Sequence, residues 1–364
     1  MSSSSGDILK NCFLAIIGVI SALLIMEAGV RIRQYVKYGT AASYAGGYME
    51  KDPGSGLNIP SPGTETRSLK INSRSFRGPE PEDPKPADRI RIAFLGSSTT
   101  FCAEVNGEEK TWPYLVWRDL QNAYPGIKMD YVNASVPGYL VWKDVINLER
   151  RVKPLRPDII IIYEGPNDLS WWANALAGKQ GKEIYKNGWL EKYSLAYDII
   201  KKNFVIFITQ QKAKSERERL KFKPGELSVN FRKELAGLID AAKRTAPVVV
   251  IATISYKMRR EQTDDEKLRN ANTALFYMPS MGLSGLLDAH EEYNRVIRET
   301  AKEKGVILVD KELMIPGEDA YFKDSIHFSA KGCELMAKRV VDSLSGSAEF
   351  KDFLRSRGQK QINS

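Results

Sequence analysis

The chain has 364 residues, 43% hydrophobic and 27% charged, which is enough apolar content for one large core or two smaller ones and excludes a disordered chain. Its net charge is +9, but the basic residues are spread throughout without zinc-finger spacing or an aromatic RNA-binding signature, so no nucleic-acid partner is expected. The three cysteines, Cys12, Cys102 and Cys333, are too few for a disulfide framework and lack C-x-x-C metal spacing. Two buried free thiols are expected at 102 and 333, with one bridge between them as the alternative.

Residues 11–30 are almost wholly apolar, with Glu27 the one charge and close to the end. That length crosses a bilayer. A cleaved signal peptide fits less well, because the apolar run is long and no small-x-small site follows Met26. Cys12 precedes the run instead of ending it, which argues against lipoprotein processing. Residues 1–37 are therefore expected to form a single transmembrane anchor. Arg31, Arg33 and Lys37 beyond the run outnumber Lys10 before it, and this charge bias alone would put the rest of the chain in the cytoplasm.

Residues 38–88 are rich in Gly, Pro and Ser, with a small apolar island at 71–76, and are expected to form a stalk packed lightly on the domain beyond it. Over 89–345 short apolar runs alternate with longer amphipathic ones, the pattern of parallel strands joined by crossover helices. Strands are predicted at 90–95, 129–133, 158–163, 248–254 and 306–310, and helices at 112–123, 142–152, 227–245, 286–304 and 330–345. Several strands are Ile/Val-rich without polar alternation, as strands covered on both faces must be. The predicted fold is α/β, a three-layer α/β/α sandwich around a five-stranded parallel sheet, followed by a tail at 346–364.

An insertion at 170–225 breaks the alternation. It carries Trp171, Trp172, Tyr185, Trp189, Tyr193 and Tyr197, then an apolar stretch at 204–208, then a basic run from Lys212 to Lys223. Two readings stand: a helical hairpin packed on the core, or a lid or membrane-contacting element suited to anionic headgroups.

In a doubly wound sheet, reactive groups collect at the carboxyl ends of the strands. After the first predicted strand comes Gly96-Ser97-Ser98, where a serine in a strand-to-helix turn can present its hydroxyl and its own N–H to a substrate. Taken alone, Ser98 is better explained as a helix cap. Gly138 after the second strand lets a backbone N–H approach a ligand, and Asn167 after the third can donate an amide proton to developing negative charge. Of the two histidines, His327 follows Asp324 by three residues, so the carboxylate can reach Nδ1 and leave Nε2 free as a base. His290 stands among Asp288, Glu291 and Glu292 and is expected on the solvated surface. Two histidines without matching cysteines make a zinc site improbable.

Taken together, Ser98, Gly138, Asn167 and the pair Asp324 and His327 resemble the four sequence blocks of the SGNH (GDSL-type) hydrolases, over roughly residues 89–345. The resemblance implies a flavodoxin-like sandwich and serine esterase or acyltransferase chemistry. Ser98, Asp324 and His327 would form the triad, and Ser98, Gly138 and Asn167 the oxyanion hole. No metal or cofactor is implied. One departure is that the first block usually reads Gly-Asp-Ser, whereas Ser97 stands here in place of the aspartate. Resemblance also implies a carbohydrate or lipid acyl ester as substrate and a catalytic domain outside the cytoplasmic membrane, against the charge bias. A non-catalytic glycan-binding module is the reading from another class.

Overall fold

The computed structural model describes residues 5–38, 48–66, 69–178, 190, 193–213 and 222–362. Helix α1 (Ser5–Tyr38) contains the 28-residue stretch Leu9–Val36, which is long and apolar enough to cross a membrane and is exposed apart from a partly covered face near its end. A short antiparallel hairpin follows, β1 (Met49–Lys51) with β2 (Asn58–Pro60).

The main sheet begins with β3 (Arg89–Gly96), which runs into the single-turn helix α2 (Ser98–Phe101). Next come α3 (Trp112–Ala123), β4 (Lys128–Asn133), α4 (Val141–Asn147), β5 (Ile159–Tyr163) and α5 (Pro166–Leu176). Then α6 (Leu195–Ala213) and α7 (Pro224–Thr245) lead to β6 (Val248–Ala252). The chain closes with α8 (Leu283–Lys304), β7 (Ile307–Val309), α9 (Ala330–Gly346) and α10 (Ala348–Ile362). All five strands are parallel in the order β4-β3-β5-β6-β7. One helical layer is built on α3 and α9, the other on α4, α7 and α8. The predicted three-layer sandwich is therefore the observed one, and the central strand Ile159–Tyr163 is wholly buried, as its unbroken apolar sequence requires.

Counted from β3, the strand order is 2-1-3-4-5, and it reverses between β3 and β5. A crevice opens at that reversal, at the carboxyl ends of the strands. The helices that follow β3 and β5 begin there, with Ser98 the first residue of α2 and Asn167 in the first turn of α5.

Two expectations need correction. The segment expected as a lightly packed stalk is knitted to the domain, because its scattered apolar residues are deployed inward. Leu57 and Ile59 pack on Val136 and Tyr139, and Leu69 and Ile71 on Phe101. Arg77 is buried and donates to the carbonyls of Phe101 (2.6 Å) and Cys102 (2.8 Å) and to Glu108 (2.9 Å). The tail after 346 is also a docked helix, with Phe350 buried and its ring 5.8 Å from that of Tyr124. The stretch expected as helical over 142–152 is helical throughout, with α-geometry to Asn147 and a wider turn over Leu148–Val152, just before Pro154, which has no N–H to continue the ladder.

Within the insertion, α5 extends to Leu176, and α6 packs on α1 and on the short helix Asn272–Tyr277. Tyr185, Trp189 and the central part of the basic run lie outside the described residues.

Candidate active site

Gly96 ends β3 where a Cβ atom would stand 2.6 Å from the carbonyl oxygen of Tyr163, so only glycine lets β3 and β5 close up at this point. Beyond it the N-cap of α2 is Ser97, not Ser98, and Ser97 makes no side-chain cap hydrogen bond. The capping role considered for Ser98 is therefore not the one it fills. Its hydroxyl lies 2.8 Å from His327 Nε2, and His327 Nδ1 lies 2.8 Å from Asp324 Oδ2. Asp324 Oδ1 accepts the N–H groups of Ile326 (2.9 Å) and His327 (2.8 Å), so the carboxylate is fixed by three hydrogen bonds within its own loop.

This geometry sets the charges. Burial pushes the Asp324 carboxyl up, but the adjacent imidazole and the two N–H donors outweigh it and hold the group well below the usual carboxylate range. For His327, burial pushes down, while the charge and hydrogen bond of Asp324 prevail and raise the imidazole above its ordinary 6.5. The His327 ring is thus set to carry positive charge beside the Ser98 hydroxyl.

The structure also brings Gly138 and Asn167 to the cavity that holds Ser98 and His327, a space of about 470 Å³. Gly138 has φ +80, and a side chain there would meet no atom within 4 Å, so its backbone faces open space. Among the described residues, the N–H groups of Ser98 and Gly138 donate to no backbone carbonyl in the turns and loops. Asn167, in the first turn of α5, spends one amide proton on the carbonyl of Tyr139 (2.8 Å), which leaves the other for a ligand.

Sequence reasoning missed the support beneath this loop. Asp168 accepts from the N–H of Val141 (3.3 Å), and Asn147 donates to the carbonyl of Ala134 (2.8 Å) and to Asp144 (3.2 Å). Asp144, Glu164 and Asp168 are all buried carboxyls. Burial holds Asp144 up at about 7, and burial together with neighbouring carboxyls raises Glu164 and Asp168 well above their ordinary values. The available signal was Glu164 itself, an acid set directly behind a fully apolar strand.

His290 is the clear correction. It is only 6% exposed, stacked on Tyr256 with ring centroids 3.4 Å apart, and lines the same cavity. Burial, helped by Arg259, depresses its imidazole to about 3, so it is neutral and a poor base. Cys102 and Cys333 are buried free thiols with sulfurs 3.8 Å apart, as the first of the two expectations had it. No cluster of three or more metal-ligating side chains occurs among the described residues.

A doubly wound parallel sheet with a serine, a histidine and an aspartate hydrogen-bonded in line at its carboxyl edge is the architecture of the SGNH class of ester hydrolases. The chain belongs to the GDSL-like lipase/acylhydrolase family, whose model matches residues 94–335. Similar solved structures include the acetylxylan esterase Axe2 from Geobacillus stearothermophilus, 18% identical, covering 71% of this chain and 95% of that one with a TM-score of 0.43. LAE5, an alpha/beta hydrolase enzyme from the metagenome of Lake Arreo, Spain, is 16% identical, covering 70% and 94% with a TM-score of 0.42. The acetyl xylan esterase AlAXEase is 14% identical, covering 70% and 99% with a TM-score of 0.43. No curated protein matches the chain.

Proposed function

We propose that this protein is a membrane-anchored serine esterase that removes short acyl groups from a carbohydrate or lipid ester, with its catalytic domain outside the cytoplasm. The observation that carries the proposal is the line from Ser98 through His327 to Asp324, with both links at 2.8 Å. Ser98 Oγ attacks the ester carbonyl and forms the new C–O bond while its proton passes to His327 Nε2. The oxyanion is held by the N–H groups of Ser98 and Gly138 and by the amide of Asn167. On collapse the C–O bond to the alcohol breaks, and His327 returns the proton to the departing oxygen. An acyl group is left on Ser98.

The second half-reaction repeats these steps with water, which frees the acid, or with a sugar hydroxyl, which makes the protein an acyltransferase. Hydrolysis is taken as the first reading because water needs no acceptor subsite, and transfer to a sugar is the alternative. The decisive experiment is turnover of an ester panel from acetyl to long acyl, with product analysis in the presence of an oligosaccharide. Free acid as the sole product supports hydrolysis, and Ser98→Ala must abolish turnover and fluorophosphonate labelling. A Ser98→Ala protein as active as its parent would sink the proposal. A periplasmic-activity reporter fused at the C-terminus tests the placement of the domain.

A further inference from the structure

On α1, Glu27, Val30, Arg31 and Gln34 are partly covered while their neighbours are exposed, and their spacing puts them on one helical face. That face meets the start of α6. Glu27 accepts the N–H groups of Leu195 (3.1 Å) and Ala196 (2.9 Å) and the hydroxyl of Ser194 (2.9 Å), and Arg31 donates to the carbonyl of Tyr193 (3.0 Å). Helix α6 therefore begins level with the point where the apolar stretch of α1 gives way to Glu27, Arg31, Arg33 and Lys37.

From there α6 turns an apolar stripe outward. Ile200, Phe204 and Phe207 are 51%, 62% and 54% exposed and follow one another by four and three residues. Tyr193 and Tyr197 stand exposed at its beginning, at the depth aromatic rings favour. Asp198, Lys201, Lys202 and Lys212 forbid the helix from crossing a bilayer, and Lys212 opens the basic run that ends at Lys223. Such a helix, apolar on one side and basic in its flank, lies in a membrane surface. Both helices also wall the catalytic cavity: Val30 and Gln34 from α1 and Leu195, Ile199 and Lys202 from α6 line the space that holds Ser98.

We infer that α6 is seated in the anionic headgroup layer of the bilayer crossed by α1, so that the mouth of the cavity opens at the membrane surface and takes esters presented there. This rests on the anchored-esterase reading above. The test uses the full chain reconstituted in vesicles of phosphatidylethanolamine and phosphatidylglycerol. An environment-sensitive NBD fluorophore on Phe207→Cys, in a Cys12→Ser background, should emit blue-shifted and be quenched by doxyl-labelled lipids. The same label on Asp288→Cys should emit as in water. Water-like, unquenched emission at 207 would overturn the inference.

In a second arm, the Ile200→Ser, Phe204→Ser, Phe207→Ser triple variant should hydrolyse p-nitrophenyl acetate at the parent rate. Its turnover of dioleoyl acetylglycerol embedded in the vesicles should fall at least tenfold. Equal loss on both esters, or loss on neither, would refute the membrane seat. If the unaltered protein turned over no ester at all, the esterase reading would fail instead, and the fluorescence result alone would decide the position of α6.

Discussion

Replacing Asp324 by asparagine changes one atom and should cost most of the activity. In the native loop, Oδ1 accepts the N–H groups of Ile326 and His327, and Oδ2 faces His327 Nδ1 at 2.8 Å. The two backbone donors will hold the asparagine carbonyl oxygen in the place of Oδ1, which sets the amide NH2 against His327 Nδ1. An NH2 group only donates, so the ring proton must move to Nε2, where it points at Ser98 and removes the lone pair that takes the serine proton. Turning the amide over would restore the tautomer but would leave backbone donors without an acceptor, at about 1–3 kcal/mol each. The expected loss in kcat is about 10⁴-fold, or about 5.5 kcal/mol of barrier.

The pH profile gives a second readout. In the parent, Asp324 raises His327 above 6.5 against the pull of burial, and the base works only when neutral. Activity should therefore be lost as pH falls through a value above 6.5. With the carboxylate charge gone, the largest influences raising His327 are lost and only the weaker pull of Glu104 and Cys102 opposes burial, so the limb of the residual activity should move to lower pH. Stopped-flow turnover of p-nitrophenyl acetate from pH 5 to 9, with circular dichroism to confirm folding, measures both. A folded Asp324→Asn protein within tenfold of the parent, with its limb unmoved, would refute the reasoning.

Asn167→Ala should lower kcat about 10²- to 10³-fold with the KM for a short ester little changed, if its amide serves the oxyanion. His290→Phe, which keeps a ring on Tyr256, should retain kcat/KM within about tenfold, whereas His327→Ala should leave no measurable turnover. Asp144 has its folded value raised to about 7, so between about pH 4 and 7 the native state binds a proton the unfolded state has lost, and stability falls as pH rises through that window. Asp144→Asn should accordingly gain melting temperature relative to the parent at pH 8, with the gap closing towards pH 4. Arg77→Ala strips buried carbonyls and Glu108 of their donor and should cost about 3–5 kcal/mol in denaturant unfolding.

The sheet was legible because strands covered on both faces leave unbroken apolar runs, as in Ile159–Tyr163. Ser98, Gly138, Asn167 and the pair Asp324 and His327 were each weak signals alone and became a candidate site only through their joint occurrence in the turns after successive strands and ahead of α9. Misjudging His290 followed from weighing its acidic neighbours over its helical phase. Leu286, His290, Tyr293 and Ile297 recur at intervals of four, three and four and are all buried, while Asp288 and Glu291 point to Arg260 on the other side. The packing of 48–88 was hidden by its turns. Gly and Pro were counted, whereas Leu57, Ile59, Leu69 and Ile71 decide where that segment goes. Nothing local marked Asp144 as a neighbour of Glu164, whose carboxyl it meets by a side-chain hydrogen bond, since the tertiary fold alone brings the two together.

Arg77 shows where this family member can vary. The family model matches residues 94–335, yet the carbonyls of Phe101 and Cys102, at the end of the turn that Ser98 begins, are held by an arginine that precedes that stretch. Substitutions ahead of the shared core can therefore retune how stiffly the serine is presented while every motif residue stays the same.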